Sequence, residues 1–159
     1  AVKGVENADA GMFDAAKYVL IGNVGDGGTR AQNFASLIET LGARPVWMDA
    51  DTHDWAVGIV SHLPQLVSVA LAQVIRDETD ETGLPLSIAG PGLRDALRLA
   101  ASPYGIWRDI CLTNPDNIAR ALDRVAQAID HLRTRLQSKD LKESFDAAND
   151  LYKMLQELK

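Results

Sequence analysis

A chain of 159 residues that is 47% hydrophobic has enough apolar material for one full core, or for one domain and a piece of another, but two complete domains would be cramped. Sixteen basic against 22 acidic residues leave a formal charge of −6 with no Lys/Arg cluster, which excludes the electrostatic footprint of a nucleic-acid binder. One cysteine, Cys111, excludes an internal disulfide framework and reads as a buried structural thiol in a reducing, cytoplasmic setting.

Ala1 to Ala10 has no apolar core of the signal-peptide kind and does not start with Met, so the chain reads as beginning within something larger. Lys17 to Ile21 predicts a strand. Thr29 to Leu41 predicts a helix with Phe34, Leu37, Ile38 and Leu41 on one face, and Pro45 to Met48 a second strand. Gly22 to Gly28 between them suggests a phosphate-cradling loop, with Asp49 placed like the acid that holds a ribose hydroxyl. The fingerprint fails: with Gly25 and Gly27 as its first two glycines, Arg30 stands where the third belongs, and no further strands follow to build the sheet. We read the stretch as a connecting loop and Asp49 as a hinge-side acid. A βαβ piece this small cannot bury both faces of its sheet alone.

Beyond Asp49 the pattern is helical. Thr52 to Arg76 predicts one long helix, and its Trp55–Ile75 portion is apolar enough to suggest a membrane span. His62, Pro64, Gln65 and Gln73 across its middle would be stranded in lipid, so no membrane is expected. The helix reads instead as buried on nearly all sides, in a core or a subunit interface. Pro64 removes one intrahelical hydrogen bond and deprives the Val60 carbonyl of its donor, which predicts a bend. His62 beside it is either a core histidine with satisfied hydrogen bonds or a pocket-lining group. His53-Asp54 has the look of a metal-dependent hydrolase, but with three histidines in the chain and none before His53, no metal site is expected.

A turn follows at Thr82 to Pro85, and Gly90-Pro91-Gly92 opens a short helix. Arg94 and Arg98 lie four residues apart on one face of it, with Asp95 between them. A guanidinium near a helix start, with Gly92 leaving space for a ligand, suits a bidentate carboxylate; a surface ion pair fits the spacing equally well. Another helix is predicted around Tyr104 to Leu112, then two long ones. The first has Asn114 as N-cap, Pro115 at its first position and a stripe of Ile118, Leu122, Val125, Ile129, Leu132 and Leu136. The second starts at Asp140 with Glu143 completing a capping box, and its stripe is Leu141, Phe145, Ala148, Leu151 or Tyr152, and Leu155. Arg120, Arg124, Arg133 and Arg135 read as a solvated face.

The order Gly4-Val-Glu-Asn-Ala-Asp9, Tyr18 to Ile21, Met48-Asp49, His53-Asp54, Ser61-His-Leu-Pro64, Gly92-Leu-Arg-Asp-x-x-Arg98, Ser102, Trp107-x-Asp-Ile110 and Asn114 resembles the prephenate (or arogenate) dehydrogenase family over nearly the whole chain. Ser-His-Leu-Pro followed downstream by Gly-Leu-Arg-Asp-x-x-Arg carries most of that resemblance. It implies a mainly α fold: a helical bundle like the C-terminal domain of 6-phosphogluconate dehydrogenase, at residues 51–159, behind a βαβ remnant of a Rossmann domain at residues 1–50. The family oxidatively decarboxylates prephenate to 4-hydroxyphenylpyruvate, or arogenate to tyrosine, using NAD or NADP, and its helical domain forms an intertwined dimer.

The resemblance further implies that Arg98 grips a substrate carboxylate and that His62 contacts the ligand. Asp95 and Trp107 would stand at the pocket entrance, and His53 and Asp54 would support the bent helix. The expected partners are a second copy of the chain and a small aromatic carboxylate: prephenate, arogenate, 4-hydroxyphenylpyruvate or tyrosine. The family's catalytic His-Pro-x-x-Gly motif would fall just before Ala1 and its glycine fingerprint earlier still. No catalytic or cofactor-binding residue is therefore expected in this chain, no NAD(P) is expected to bind it alone, and it reads as an excised fragment or a naturally truncated product. The family also usually shows Thr-Pro near Gly22-Asn23, glycine at Pro91, Phe at Leu93 and Thr at Leu97. A non-catalytic dimeric binding protein on the same helical scaffold is the alternative.

Overall fold

The computed structural model describes residue 5 and residues 8–22, 28–138 and 140–158. Half of the Gly4–Asp9 match, and residues 23–27 of the glycine-rich loop, lie outside them. The chain divides into two compact units, Ala1–Ile118 and Ala119–Lys159.

The first unit opens as predicted: strand β1 (Lys17–Ile21), helix α1 (Gly28–Thr40) and strand β2 (Arg44–Met48). The strands pair in parallel, with Lys17 opposite Arg44 and Ile21 opposite Met48. Gly42 turns the chain from α1 into β2 at φ +91°, a conformation that penalises any Cβ, and its carbonyl accepts the Ala15 N–H at 2.9 Å. Ile38 and Ala43 are buried, while Val19, Ile21, Phe34 and Leu37 stay exposed. The sheet's two strands therefore bury only part of their apolar surface within this chain, as a βαβ piece of this size must.

Asp49 caps helix α2 (Ala50–Val57): its Oδ1 accepts the Thr52 N–H at 2.8 Å and its Oδ2 the Thr52 hydroxyl at 2.6 Å. These bonds from Thr52 hold its carboxyl below the usual aspartate range. The helix starts two residues earlier than expected because this cap sits at Asp49. It runs through a π-helical turn at Gly58–His62 into helix α3 (Leu63–Asp77). The bend expected from Pro64 takes this form: Pro64 lies in the first turn of α3, and the Leu63 N–H just before it reaches back five residues to the Gly58 carbonyl.

By length and composition this Ala50–Asp77 run could cross a membrane, yet most of it is not buried within the chain. Of the two settings expected for it, a core or a subunit interface, the core of this single chain covers only part of the helix. The buried face is the polar one, with His62, Gln65 and Ser68, whereas Val60 and Val74 are 73% and 59% exposed. The polar face is buried because its side chains bond to later elements of the fold.

Helix α4 (Leu84–Ser87) follows Gly83, and helix α5 (Pro91–Leu97) starts one residue before the predicted Gly92, with Gly90 as its extended N-cap. Arg98 is thus the C-cap of α5, leading into a 3-10 turn at Leu99–Ala101, and is not near a helix start as expected. Helix α6 (Tyr104–Thr113) carries Cys111, which is half-buried and not fully buried as predicted.

In helix α7 (Pro115–Thr134) Asp116 lies in the first turn as expected, but the helix stops before Leu136, the last residue of the predicted stripe. Helix α8 (Leu141–Glu157) lacks the predicted capping box. Asp140 has helical backbone angles, φ −79° and ψ −6°, which turn its side chain away from the free N–H groups, and no side-chain cap bond forms. The α7 stripe is buried at Ile118, half-buried at Leu122 and Val125 and exposed from Ile129 onward; in α8 Leu141 is half-buried, while Phe145, Leu151 and Leu155 are exposed in the single chain, as are Arg120, Arg124 and Arg133. The fold is mainly α, with the small two-stranded sheet as its only sheet among the described residues.

Candidate functional site

Two groups of polar residues in the first unit hold the predicted site together. In α3, Gln65 Nε2 donates to the Leu99 carbonyl at 2.8 Å. Ser68 Oγ donates to the Ala96 carbonyl at 2.8 Å and accepts the Ala100 N–H at 3.1 Å. These bonds pin the chain on either side of Arg98, where α5 ends and leaves carbonyls without helical donors. The first residue of the site is therefore positioned by a helix far from it in sequence.

Arg98 itself is exposed and, among the described residues, forms no ion pair, nor does Arg94. Arg98 lines an open cavity of about 240 Å³ together with Ala101, Ser102, Pro103 and Ile106. An unpaired guanidinium facing a partly apolar cavity is suited to hold a carboxylate through two parallel hydrogen bonds.

The second group surrounds His62. Its ring meets Trp107 edge to face, with centroids 6.0 Å apart and planes at 87°. Asn114 Nδ2 donates to the Asp54 carbonyl at 2.7 Å and lies 3.4 Å from His62 Nδ1, while Asn114 Oδ1 accepts from Asn117 Nδ2 at 2.8 Å. Gly58 permits this approach: a Cβ there would lie 3.2 Å from Asn117 Cβ and 3.7 Å from Asn114 Nδ2. Burial pushes the His62 imidazole below its ordinary pKa; Asp54 pulls it up and His53 pushes it further down. It is thus a neutral ring at pH 7, able to offer one N–H and one bare nitrogen. His53 Nδ1 and Asp54 Oδ1 are 2.9 Å apart earlier on the same helical run, in α2.

Of the residues predicted for the site, the fold brings His62 and Trp107 into contact and sets Arg98 on a cavity whose Ile106 adjoins Trp107 in sequence. His53 and Asp54 stand in α2, nine and eight residues before His62 on the same helical run. Gly92, Arg94 and Asp95 lie exposed on α5 and do not line the cavity. Gln65, Ser68 and Asn117 were not predicted, and Asn114 was assigned only a capping role. The signal for two of them was present: His62, Gln65 and Ser68 recur at helical spacing in an otherwise apolar run. Among the described residues no cluster of His, Cys, Asp or Glu could hold a metal ion.

The fold and the site define a mainly helical domain that carries Arg98 on an open cavity and, on the helix before it, a buried histidine packed against Trp107. Residues 49–157 match the family model described as prephenate dehydrogenase, dimerization domain, and the chain belongs to that family.

The chain is 29% identical over 142 residues to the prephenate dehydrogenase of Bacillus subtilis (strain 168), covering 89% of this chain and 38% of that protein. It is 31% identical over 143 residues to the cyclohexadienyl dehydrogenase of Zymomonas mobilis, covering 86% of this chain and 49% of the other. Among solved structures it resembles prephenate dehydrogenase from A. aeolicus in complex with hydroxyphenyl propionate and NAD+, with TM-score 0.83 and 24% identity over 98% of this chain and 55% of that one. Synechocystis arogenate dehydrogenase is similar at TM-score 0.79 and 25% identity, covering 100% of this chain and 58% of that one. The chain thus spans about half, or less, of the length of these relatives.

Residues for a dinucleotide are another matter. A Rossmann site needs a crevice at a switch in strand order. The described residues supply one pair of parallel strands, with Arg30 already inside α1. The described residues do not by themselves form that crevice.

Proposed function

We propose that this chain is the substrate-binding and dimerisation portion of a prephenate or arogenate dehydrogenase, in which Arg98 binds the carboxylate of a small aromatic ligand. The observation that carries this reading is the unpaired Arg98 guanidinium on an open cavity, in a chain that belongs to this family. His62 and Trp107 complete the ligand contacts. Asp95 stands at the entrance, and His53, Asp54, Arg94 and Gly92 support the site from α2 and α5.

The family match beginning at residue 49 supports a division near residue 50 into a nucleotide-domain remnant and a helical domain. The exposed apolar residues of the two-stranded sheet fit a piece of a wider sheet. A homodimer follows from the apolar residues left open on the Ala50–Asp77 run and on α7 and α8, together with the family's description as a dimerization domain. In the full-length enzyme, hydride transfer would use NAD or NADP; alone, this chain is expected neither to bind the nucleotide nor to oxidise prephenate, and to act in the cytoplasm.

Calorimetry with 3-(4-hydroxyphenyl)propionate, prephenate and tyrosine tests the assignment. Arg98→Ala is expected to weaken the ligand that binds by at least tenfold, about 1.4 kcal/mol. Equal affinity in the variant removes Arg98 from the site.

A further inference from the structure

The orientation of one side-chain amide determines which nitrogen of His62 carries its proton. The Asp54 carbonyl can only accept, so the Asn114 atom 2.7 Å away must be the NH2 group. Asn114 Oδ1 then faces Asn117, whose Nδ2 donates to it at 2.8 Å. With the amide held at both ends, its second N–H is the one that faces His62 Nδ1, at 3.4 Å, near the long end for a hydrogen bond. Nδ1 is therefore the bare, accepting nitrogen and Nε2 carries the hydrogen. Nε2 has no partner among the described residues, and no buried side-chain nitrogen or oxygen there is left without one, so Nε2 is open to its surroundings and not sealed in the core. Trp107, packed edge-on against the ring, restrains rotation of the imidazole plane.

We propose that Asn114 is a positioning residue for the ligand site: it holds His62 in the Nε2–H tautomer, so that the ring presents a fixed hydrogen-bond donor to an acceptor oxygen of the bound ligand. The inference rests on the reading of His62 as a ligand contact. Asn117 acts through Asn114, by keeping the amide from turning over, and Gly58 provides the space in which the amide approaches the helix.

Long-range proton–nitrogen NMR spectra of the 159-residue chain above pH 7.5, with the His62 signals identified by their loss in His62→Gln, read the tautomer directly. The expected spectrum has a protonated Nε2 and a bare Nδ1, without averaging between the two. In Asn114→Ala the two nitrogen shifts should move towards each other as the tautomers begin to exchange, and 3-(4-hydroxyphenyl)propionate should bind about tenfold more weakly with Arg98 unchanged. Asn117→Ala, which leaves Asn114 in place, should move the shifts less but in the same direction. A proton on Nδ1 in the unsubstituted chain overturns the proposal whether or not the Asn114 variant folds. So does an Asn114→Ala protein that folds and keeps both the spectrum and the affinity. If His62→Gln binds the ligand as tightly as the parent chain, the ligand role of His62 is what fails, and the tautomer result stands apart from it.

Discussion

His62 and Trp107, 45 positions apart in the chain, meet edge to face at 6.0 Å and so join the π-helical turn to α6 beside the Arg98 cavity. An aromatic pair in this geometry contributes about 0.5–1.5 kcal/mol beyond the area it buries. A double-mutant cycle on His62→Ala and Trp107→Leu, read by urea unfolding, should give a coupling energy of about 1 kcal/mol. Strict additivity of the two single substitutions would show that the contact contributes nothing.

Stability should depend on pH through His62. Burial, reinforced by His53 and opposed by Asp54, lowers its folded-state pKa below the ordinary 6.5, so the unfolded chain takes up this proton first as the pH falls. The contribution of the neutral ring to stability is complete above pH 6.5 and is lost as the pH drops from there through the folded-state value. Urea midpoints measured between pH 5 and 8 should therefore fall on the acid side, and His62→Gln should flatten that part of the curve. An unchanged slope in the variant would assign the acid sensitivity to another group.

Ser68→Ala should destabilise the chain by about 1–3 kcal/mol, because it strands the Ala96 carbonyl and the Ala100 N–H that Ser68 Oγ joins. Hydrogen exchange at the Ala100 amide should accelerate in the variant more than exchange in β1 and β2. Equal acceleration everywhere would mean a global loss of stability without local release of the segment that carries Arg98.

Gly58→Ala is expected to destabilise, although alanine in a helix interior is normally favoured over glycine by about 1 kcal/mol. The added Cβ would lie 3.2 Å from Asn117 Cβ, an atom fixed to the backbone, so α7 or the π turn must shift. Overpacking of this kind costs about 1–3 kcal/mol. A rise in the thermal midpoint would show that the two segments separate easily.

Sedimentation should find a dimer, and Val60→Asp, which puts a charge on the exposed apolar face of the long helical run, should shift it to monomer without loss of helix content by circular dichroism. A parent chain that sediments as a clean monomer at micromolar concentration removes the interface from the proposed function.

Much of the fold was legible because it is local. The short apolar runs Tyr18 to Ile21 and Val46 to Met48 placed β1 and β2 within a residue, and Pro115 after Asn114 marked the start of α7, since these preferences act over one turn or one strand. The Pro64 break was legible for the same reason, but its form was not. A missing N–H specifies that one carbonyl loses its donor, and only the packing of Gly58 against Asn117 accompanies the observed answer, a π turn. Burial was least legible where it depends on distant chain: within this chain the polar face of the apolar helix is the buried one, because His62, Gln65 and Ser68 find partners from 28 to 52 residues away.

The site divides in the same way. Arg98 and His62 were legible as candidates from residue type, because a guanidinium and an imidazole carry their chemistry with them, and Trp107 only through the family resemblance. That Arg98 ends a helix instead of starting one, that Gln65 and Ser68 hold its backbone, and that Asn114 faces His62 with a donor were decided by tertiary structure alone. Each depends on which groups meet across the fold, and hydrogen bonds of fixed direction between elements far apart in the chain leave no periodicity in the sequence to read.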